Sequence, residues 1–95
     1  MEEFLSSSFI RVPESIVRNY QLSAGAKLLF AEILSLSQRY GFCFASNEYL
    51  GTCTSLTSRT VSKRIKELKE ENLIEIENPK GRNRKIYVND LCQYD

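Results

Sequence analysis

The 95-residue chain contains no histidine, and its three cysteines stand far apart at positions 43, 53 and 92. Each absence excludes some chemistry. Without histidine there is no ordinary base to activate a serine or cysteine nucleophile. The odd cysteine count, the wide spacing and the lack of a Cys-x-x-Cys pair argue against a disulfide framework. A structural zinc site needs about four closely spaced thiolate or imidazole ligands, which Cys43, Cys53 and Cys92 do not supply. There is no glycine-rich phosphate loop. No apolar run approaches the roughly 20 residues of a membrane span. The first residues, Met1-Glu2-Glu3-Phe4-Leu5, are acidic rather than basic, unlike a secretory leader. The expectation is a cytoplasmic protein that is not an enzyme and carries no metal or cofactor.

What is present fits one small domain. The chain is 42% hydrophobic and 26% charged, so it can hold one modest core. Its net charge of +1 conceals a segregation. Residues 57 to 66 carry Arg59, Lys63, Arg64 and Lys66 and no acid, and residues 78 to 85 carry Lys80, Arg82, Arg84 and Lys85 and no acid. Acids such as Glu2, Glu3, Glu14, Glu32 and Glu48 lie elsewhere in the sequence. A locally basic surface is what a polyanion senses, whatever the net charge.

The pattern along the chain gives the order of elements. Residues 1–8 read as a flexible lead, 9–89 as the domain and 90–95 as a tail. Pro13 to Asn19 reads as a short helix with Ile16, Val17 and Tyr20 to bury. Ser23 is an N-cap for a long helix from Ala24 to Tyr40. Leu29, Phe30, Ile33, Leu36 and Tyr40 make its apolar stripe, which Leu28 and Leu34 widen. Gly41 is placed to end it. Phe42 to Ala45 alternates like a short strand. Ser46 caps a second helix, Asn47 to about Cys53, and Thr57 caps a third, Ser58 to about Asn72, buried through Val61, Ile65 and Leu68. Leu73 to Glu77 and Lys85 to Val88 alternate with period two around a turn-rich tip, as a β-hairpin does.

This is the order of an α+β winged helix-turn-helix: a three-helix core, a short N-terminal helix and a C-terminal hairpin wing. In that arrangement the last core helix enters the DNA major groove by its N-terminal turn, and the hairpin meets nearby phosphates. The candidate DNA-contacting residues are Thr57, Ser58, Arg59, Thr60, Ser62, Lys63, Arg64 and Lys66 on the helix. On the wing they are Lys80, Arg82, Asn83, Arg84 and Lys85. A protein-interaction module of the same architecture is the competing expectation, because one fold hosts many functions. Dimerisation is left open. Phe4, Phe9, Leu91 and Tyr94 could form a contact surface or fold back onto the core.

Three stretches carry a family resemblance: Ser46-Asn47-Glu48-Tyr49-Leu50, Thr57-Ser58-Arg59-Thr60-Val61-Ser62, and Leu68-Lys69-Glu70-Glu71-Asn72-Leu73-Ile74. Together with Val12-Pro13 and Ala26-Lys27-Leu28-Leu29, they resemble the winged helix-turn-helix domains of bacterial plasmid and phage replication proteins and related regulators. The resemblance spans roughly residues 9 to 89. It implies that Ser58, Arg59, Thr60, Lys63 and Arg64 meet DNA in the groove, and that Lys80, Arg82 and Arg84 meet it from the wing. Three positions depart from the family pattern. Gly51 replaces a usual alanine, which glycine should replace easily. Thr54 stands at a commonly apolar place. Ser55 stands where glycine is usual, so it must tolerate an unusual backbone angle or alter the turn.

Overall fold

The protein is described here from a computed structural model covering residues 11–80 and 83–94. The elements are α1 (Glu14–Val17), α2 (Ala24–Tyr40), α3 (Asn47–Thr54), α4 (Ser58–Glu70), β1 (Ile74–Glu77), β2 (Lys85–Val88) and a final 3₁₀ turn (Leu91–Tyr94). β1 and β2 are antiparallel, with Ile74 opposite Val88 and Glu77 opposite Lys85. The core helices pack on one another, with α2 also against β2 and α4 against β1. This is the α+β winged helix-turn-helix architecture expected from the sequence.

Local chemistry explains the boundaries. Ser23, Ser46 and Thr57 each accept a hydrogen bond from the backbone N–H three residues on, at 3.1–3.2 Å. Each such cap contributes about 1 kcal/mol. Gly41, at φ 90°, ends α2 through its N–H to the Ser37 carbonyl at 2.7 Å. Asn72 (φ 60°), Asn78 (φ 54°) and Asp90 (φ 54°) adopt the left-handed conformation where α4, β1 and β2 give way to turns. Asn and Asp tolerate that region better than other residues with a side chain. Thus α4 stops at Glu70, two residues short of the expected Asn72.

The core is one cluster. Leu29, Phe30, Ile33 and Leu34 of α2 meet Leu50 of α3, Val61, Ile65 and Leu68 of α4, and Ile74, Ile86 and Val88 of the hairpin. Burying one such side chain contributes roughly 1.5–3 kcal/mol. Some expected core residues are outside it. Val17 is 51% exposed and Tyr20 91% exposed, because a four-residue helix turns only one side inward. Of the three, Ile16 is buried as expected, and Leu22 joins it in the core. Tyr40 and Leu28 lie on the outer flank of α2 and are also exposed.

The expected strand at Phe42–Ala45 reduces to a single bridge, in which Cys43 exchanges hydrogen bonds of 2.8 Å in both directions with Ile86. Cys43 points inward and is buried. Phe42 and Phe44 lie on the opposite side, where Phe44 meets Tyr40 edge-on and Phe42 meets Tyr87. The tail folds back rather than standing free. Leu91 and Tyr94 pack on the core, and the Tyr94 ring meets Phe30 edge-on at 5.5 Å. Phe4 and Phe9, the other candidates for a dimer surface, lie outside the described residues.

The turn between α3 and α4 settles the three departures. Ser55 is left-handed at φ 63°, ψ 34°, so the chain keeps the turn and places a non-glycine residue in it. Thr54 is satisfied inside its own helix, where its hydroxyl donates to the Leu50 carbonyl at 2.7 Å. Gly51 is more than a stand-in for alanine. The Leu56 carbonyl folds back so closely over it that an added Cβ would collide with that oxygen.

Candidate nucleic-acid interface

α4 is held from beneath and open above. Val61, Ile65 and Leu68 are buried at helical spacing, while Ser58, Arg59, Ser62, Lys63 and Lys66 are exposed on the other face. The first turn of α4 contains no acid. The positive end of its helix dipole is therefore presented with no carboxylate from its own first turn. The Thr57 hydroxyl is occupied by capping. It accepts from the Thr60 N–H at 3.1 Å and donates to the Thr60 hydroxyl at 3.0 Å. Thr57 and Thr60 thus shape the start of the helix.

Arg64 stands apart from the other cations of α4. Its guanidinium pairs with Glu67 at 2.7 Å and donates to the Ser23 hydroxyl at 3.1 Å. Its stem lies beside Gly25, where a Cβ would meet Arg64 Cδ at 3.5 Å. The same Glu67 accepts from the Ser23 N–H at 2.6 Å and the Ser23 hydroxyl at 3.0 Å. Burial pushes the Glu67 pKa up, but the Ser23 amide, the Ser23 hydroxyl and Arg64 outweigh it and hold the pKa below its ordinary value. A carboxylate at the N-terminus of α2 is favourably placed against that helix dipole. This network fixes α4 to α2. It differs from the groove contact implied for Arg64, because position 64 faces α2 and not the open side.

On the wing, Lys80 and Asn83 are exposed. Lys85 lies over the Phe42 ring, with its ammonium 5.0 Å from the ring centre, a cation–π contact. Arg82 lies outside the described residues. Arg84 is half-buried and points back into the protein. Its Nη1 donates to Asn47 Oδ1 and its Nη2 to the Ala45 carbonyl, both at 2.7 Å. Burial lowers its pKa, yet an arginine keeps its charge in any protein setting. Neither Arg64 nor Arg84 is presented as a free cation, so of the candidate contact residues described, the exposed cations are Arg59, Lys63, Lys66 and Lys80.

Between the wing and the helix-turn-helix lies an open cleft of about 410 Å³. Ser58 of α4 and Lys80 of the wing both line it, with Phe44, Asn47, Glu48 and Arg84. Reading the sequence missed Asn47, Phe44 and Glu48 here, because Ser58 and the wing residues that share the cleft with them are ten or more residues away along the chain. The acid-free stretches of sequence are therefore not an acid-free surface, since Glu48 comes from α3 into the space between them.

Comparison with known proteins supports this architecture. Two solved structures resemble it over 93% of this chain. One, described as the structure of an MDR initiator, has a TM-score of 0.66 at 20% identity and is covered over 81% of its length. The other, described as the structure of a Rep–DNA complex, has a TM-score of 0.64 at 16% identity and is covered over 79%. At those identities the likeness is one of fold. No curated protein sequence matches the chain. The model of a family described as a helix-turn-helix domain matches residues 20–74, from the approach to α2 through α3 and α4 to the first residue of β1. The chain belongs to that helix-turn-helix domain family and builds it in the winged form.

Proposed function

We propose that the chain binds double-stranded DNA. The first turn of α4 enters the major groove and the wing grips the neighbouring backbone. The observation that carries this is the construction of α4. Ser58, Arg59, Ser62, Lys63 and Lys66 face outward on a helix pinned by Val61, Ile65 and Leu68, with no acid in its first turn. Arginine and lysine can donate to the O6 and N7 acceptors of guanine, and small hydroxyl residues let the helix approach base edges closely. Arg59 and Ser58 are the candidates for base reading. Lys63, Lys66 and Lys80 are the candidates for phosphate contact. No metal, cofactor or catalytic step enters this proposal.

The setting we infer is plasmid or phage replication initiation, with transcription regulation as the neighbouring alternative. The two similar structures, one described as an initiator and one as a Rep–DNA complex, favour replication. Selection of bound duplexes from a random pool at fixed salt tests the proposal. A shared motif of a few base pairs is the expected product, and paired motifs at a constant spacing would report a homodimer. A second reading, protein contact, is favoured by the exposed rings of Tyr40, Phe44 and Tyr49. Retention of no duplex even at low salt would move the function to that surface.

A further inference from the structure

Arg84 belongs by sequence to the basic wing, and by geometry it does something else. Its two terminal nitrogens are spent on Asn47 Oδ1 and the Ala45 carbonyl, both at 2.7 Å. No carboxylate pairs with it among the described residues. A half-buried guanidinium with only neutral partners is costly to desolvate, so both of its hydrogen bonds matter. They extend toward the wing tip the connection that the Cys43–Ile86 bridge makes between β2 and the segment before α3. Asn47 begins α3, the helix that precedes the turn into α4. Arg84 immediately precedes β2. Further up the hairpin, Asn78, Pro79, Lys80 and Asn83 are all exposed. Among the described residues Arg84 is thus the hydrogen-bonded tie between wing and helix-turn-helix nearest the tip, and it lines the cleft that Lys80 and Ser58 also line.

We propose that Arg84, received by Asn47, is a positioning residue for DNA recognition: it sets the distance between wing tip and recognition helix, so that Lys80 meets the backbone while α4 occupies the groove. The inference rests on the duplex-binding reading above. Arg84 itself touches no phosphate. Its charge is needed because a charged donor makes the stronger bond to Asn47 and Ala45. Lysine has no planar fork and cannot serve both acceptors at once in this way.

Two variants separate this role from a phosphate contact. Arg84→Lys keeps the charge and loses the fork. Asn47→Ala keeps every charge and loses the receiving oxygen. Binding of duplex DNA is measured against salt for each, alongside Lys80→Ala, with folding checked by circular dichroism. Each of the two is expected to weaken binding about tenfold, the size of one charge-assisted hydrogen bond. Each should also flatten the salt dependence as far as Lys80→Ala does. The double variant should bind no worse than either single variant, because both break one strut. Full binding by Arg84→Lys together with an unaffected Asn47→Ala would make Arg84 a simple phosphate contact and overturn the proposal.

A DNA-free measurement keeps the two readings distinct. Spin labels are attached through Glu70→Cys on α4 and Asn83→Cys on the wing, with Cys53→Ser and Cys92→Ser removing the exposed thiols. The label-to-label distance should be narrowly distributed in this parent and broad when Arg84→Lys or Asn47→Ala is added. Unchanged distributions would refute the strut even if the parent binds DNA. A parent with a narrow distribution that binds no duplex would refute the binding reading, and with it the role of Arg84 in recognition.

Discussion

Two glycines in helices make opposite predictions from one substitution. Alanine normally improves a helix position over glycine by about 1 kcal/mol, since glycine forfeits more backbone entropy on folding. At Gly25, in the first turn of α2, an added Cβ would meet Arg64 Cδ at 3.5 Å and Leu56 Cδ1 at 3.7 Å, which are ordinary contacts. Gly25→Ala is therefore expected to stabilise the domain by about 0.5–1 kcal/mol. At Gly51, in α3, the same Cβ would collide with the Leu56 backbone oxygen and stand 3.6 Å from Val61 Cγ2. That oxygen cannot rotate away, because it belongs to the turn that Ser55 and the Leu56 N–H bond to Gly51 hold closed at 2.9 Å. Forcing a methyl into a filled site costs about 1–3 kcal/mol, which outweighs the helical gain. The expected net loss for Gly51→Ala is up to about 2 kcal/mol, or up to roughly 15 °C in Tm for a domain of this size. Thermal melts of both variants, followed by circular dichroism, decide the matter. A Gly51→Ala melt equal to or above that of Gly25→Ala would refute the close approach of the turn to α3.

Ser55→Gly should raise stability by about 0.5–1 kcal/mol in urea unfolding, because it relieves a left-handed serine at a position that needs no side chain. The Glu67 network predicts a pH dependence. The folded pKa of Glu67 lies below its ordinary 4.5, so its contribution is fully present above that value and lost as pH falls through the folded pKa. Glu67→Gln should lower stability at pH 7 by about 1 kcal/mol and remove part of the loss between pH 5 and pH 2, measured as unfolding free energy across that range. Glu48, in the cleft, should repel a phosphate there. Across about 8 Å of water the repulsion is about 0.5 kcal/mol, so Glu48→Gln should tighten duplex binding about twofold at low salt. A weaker complex would place Glu48 in a favourable DNA contact.

The sequence was legible where the signal is local. Ser23, Ser46 and Thr57 announce three helix starts, and Val61, Ile65 and Leu68 announce the buried face of α4. The alternations at 74–77 and 85–88 announce the wing. Legibility failed where a residue's neighbour is distant. Arg64 reads as one more cation on a basic helix until Ser23, 41 residues earlier, is seen beside it. Arg84 reads as wing charge until Asn47, 37 residues away, receives it. Counting charge along the chain therefore overstated the free basic surface at two positions. It also missed Glu48, which lies outside both basic stretches in sequence but lines the cleft between them. Gly51 shows the same limit for backbone, since helix propensity at one position cannot report a carbonyl arriving from five residues on. Tyr20 and Val17 fail for a smaller reason, because the helix that was to bury them is one turn long.

The central claim is that α4 and the wing together hold duplex DNA, and salt tests it most directly. Affinity for a selected duplex is measured by fluorescence anisotropy over a range of salt concentrations, for the parent and for Lys63→Ala/Lys66→Ala/Lys80→Ala. Each phosphate neutralised contributes about 0.9 to the slope of log affinity against log salt. Losing three such contacts should flatten the slope by about 2.7 and leave the thermal melt nearly unchanged. A parent that binds no duplex at low salt, or a triple variant with the parent's slope, would contradict the assignment of this surface to DNA.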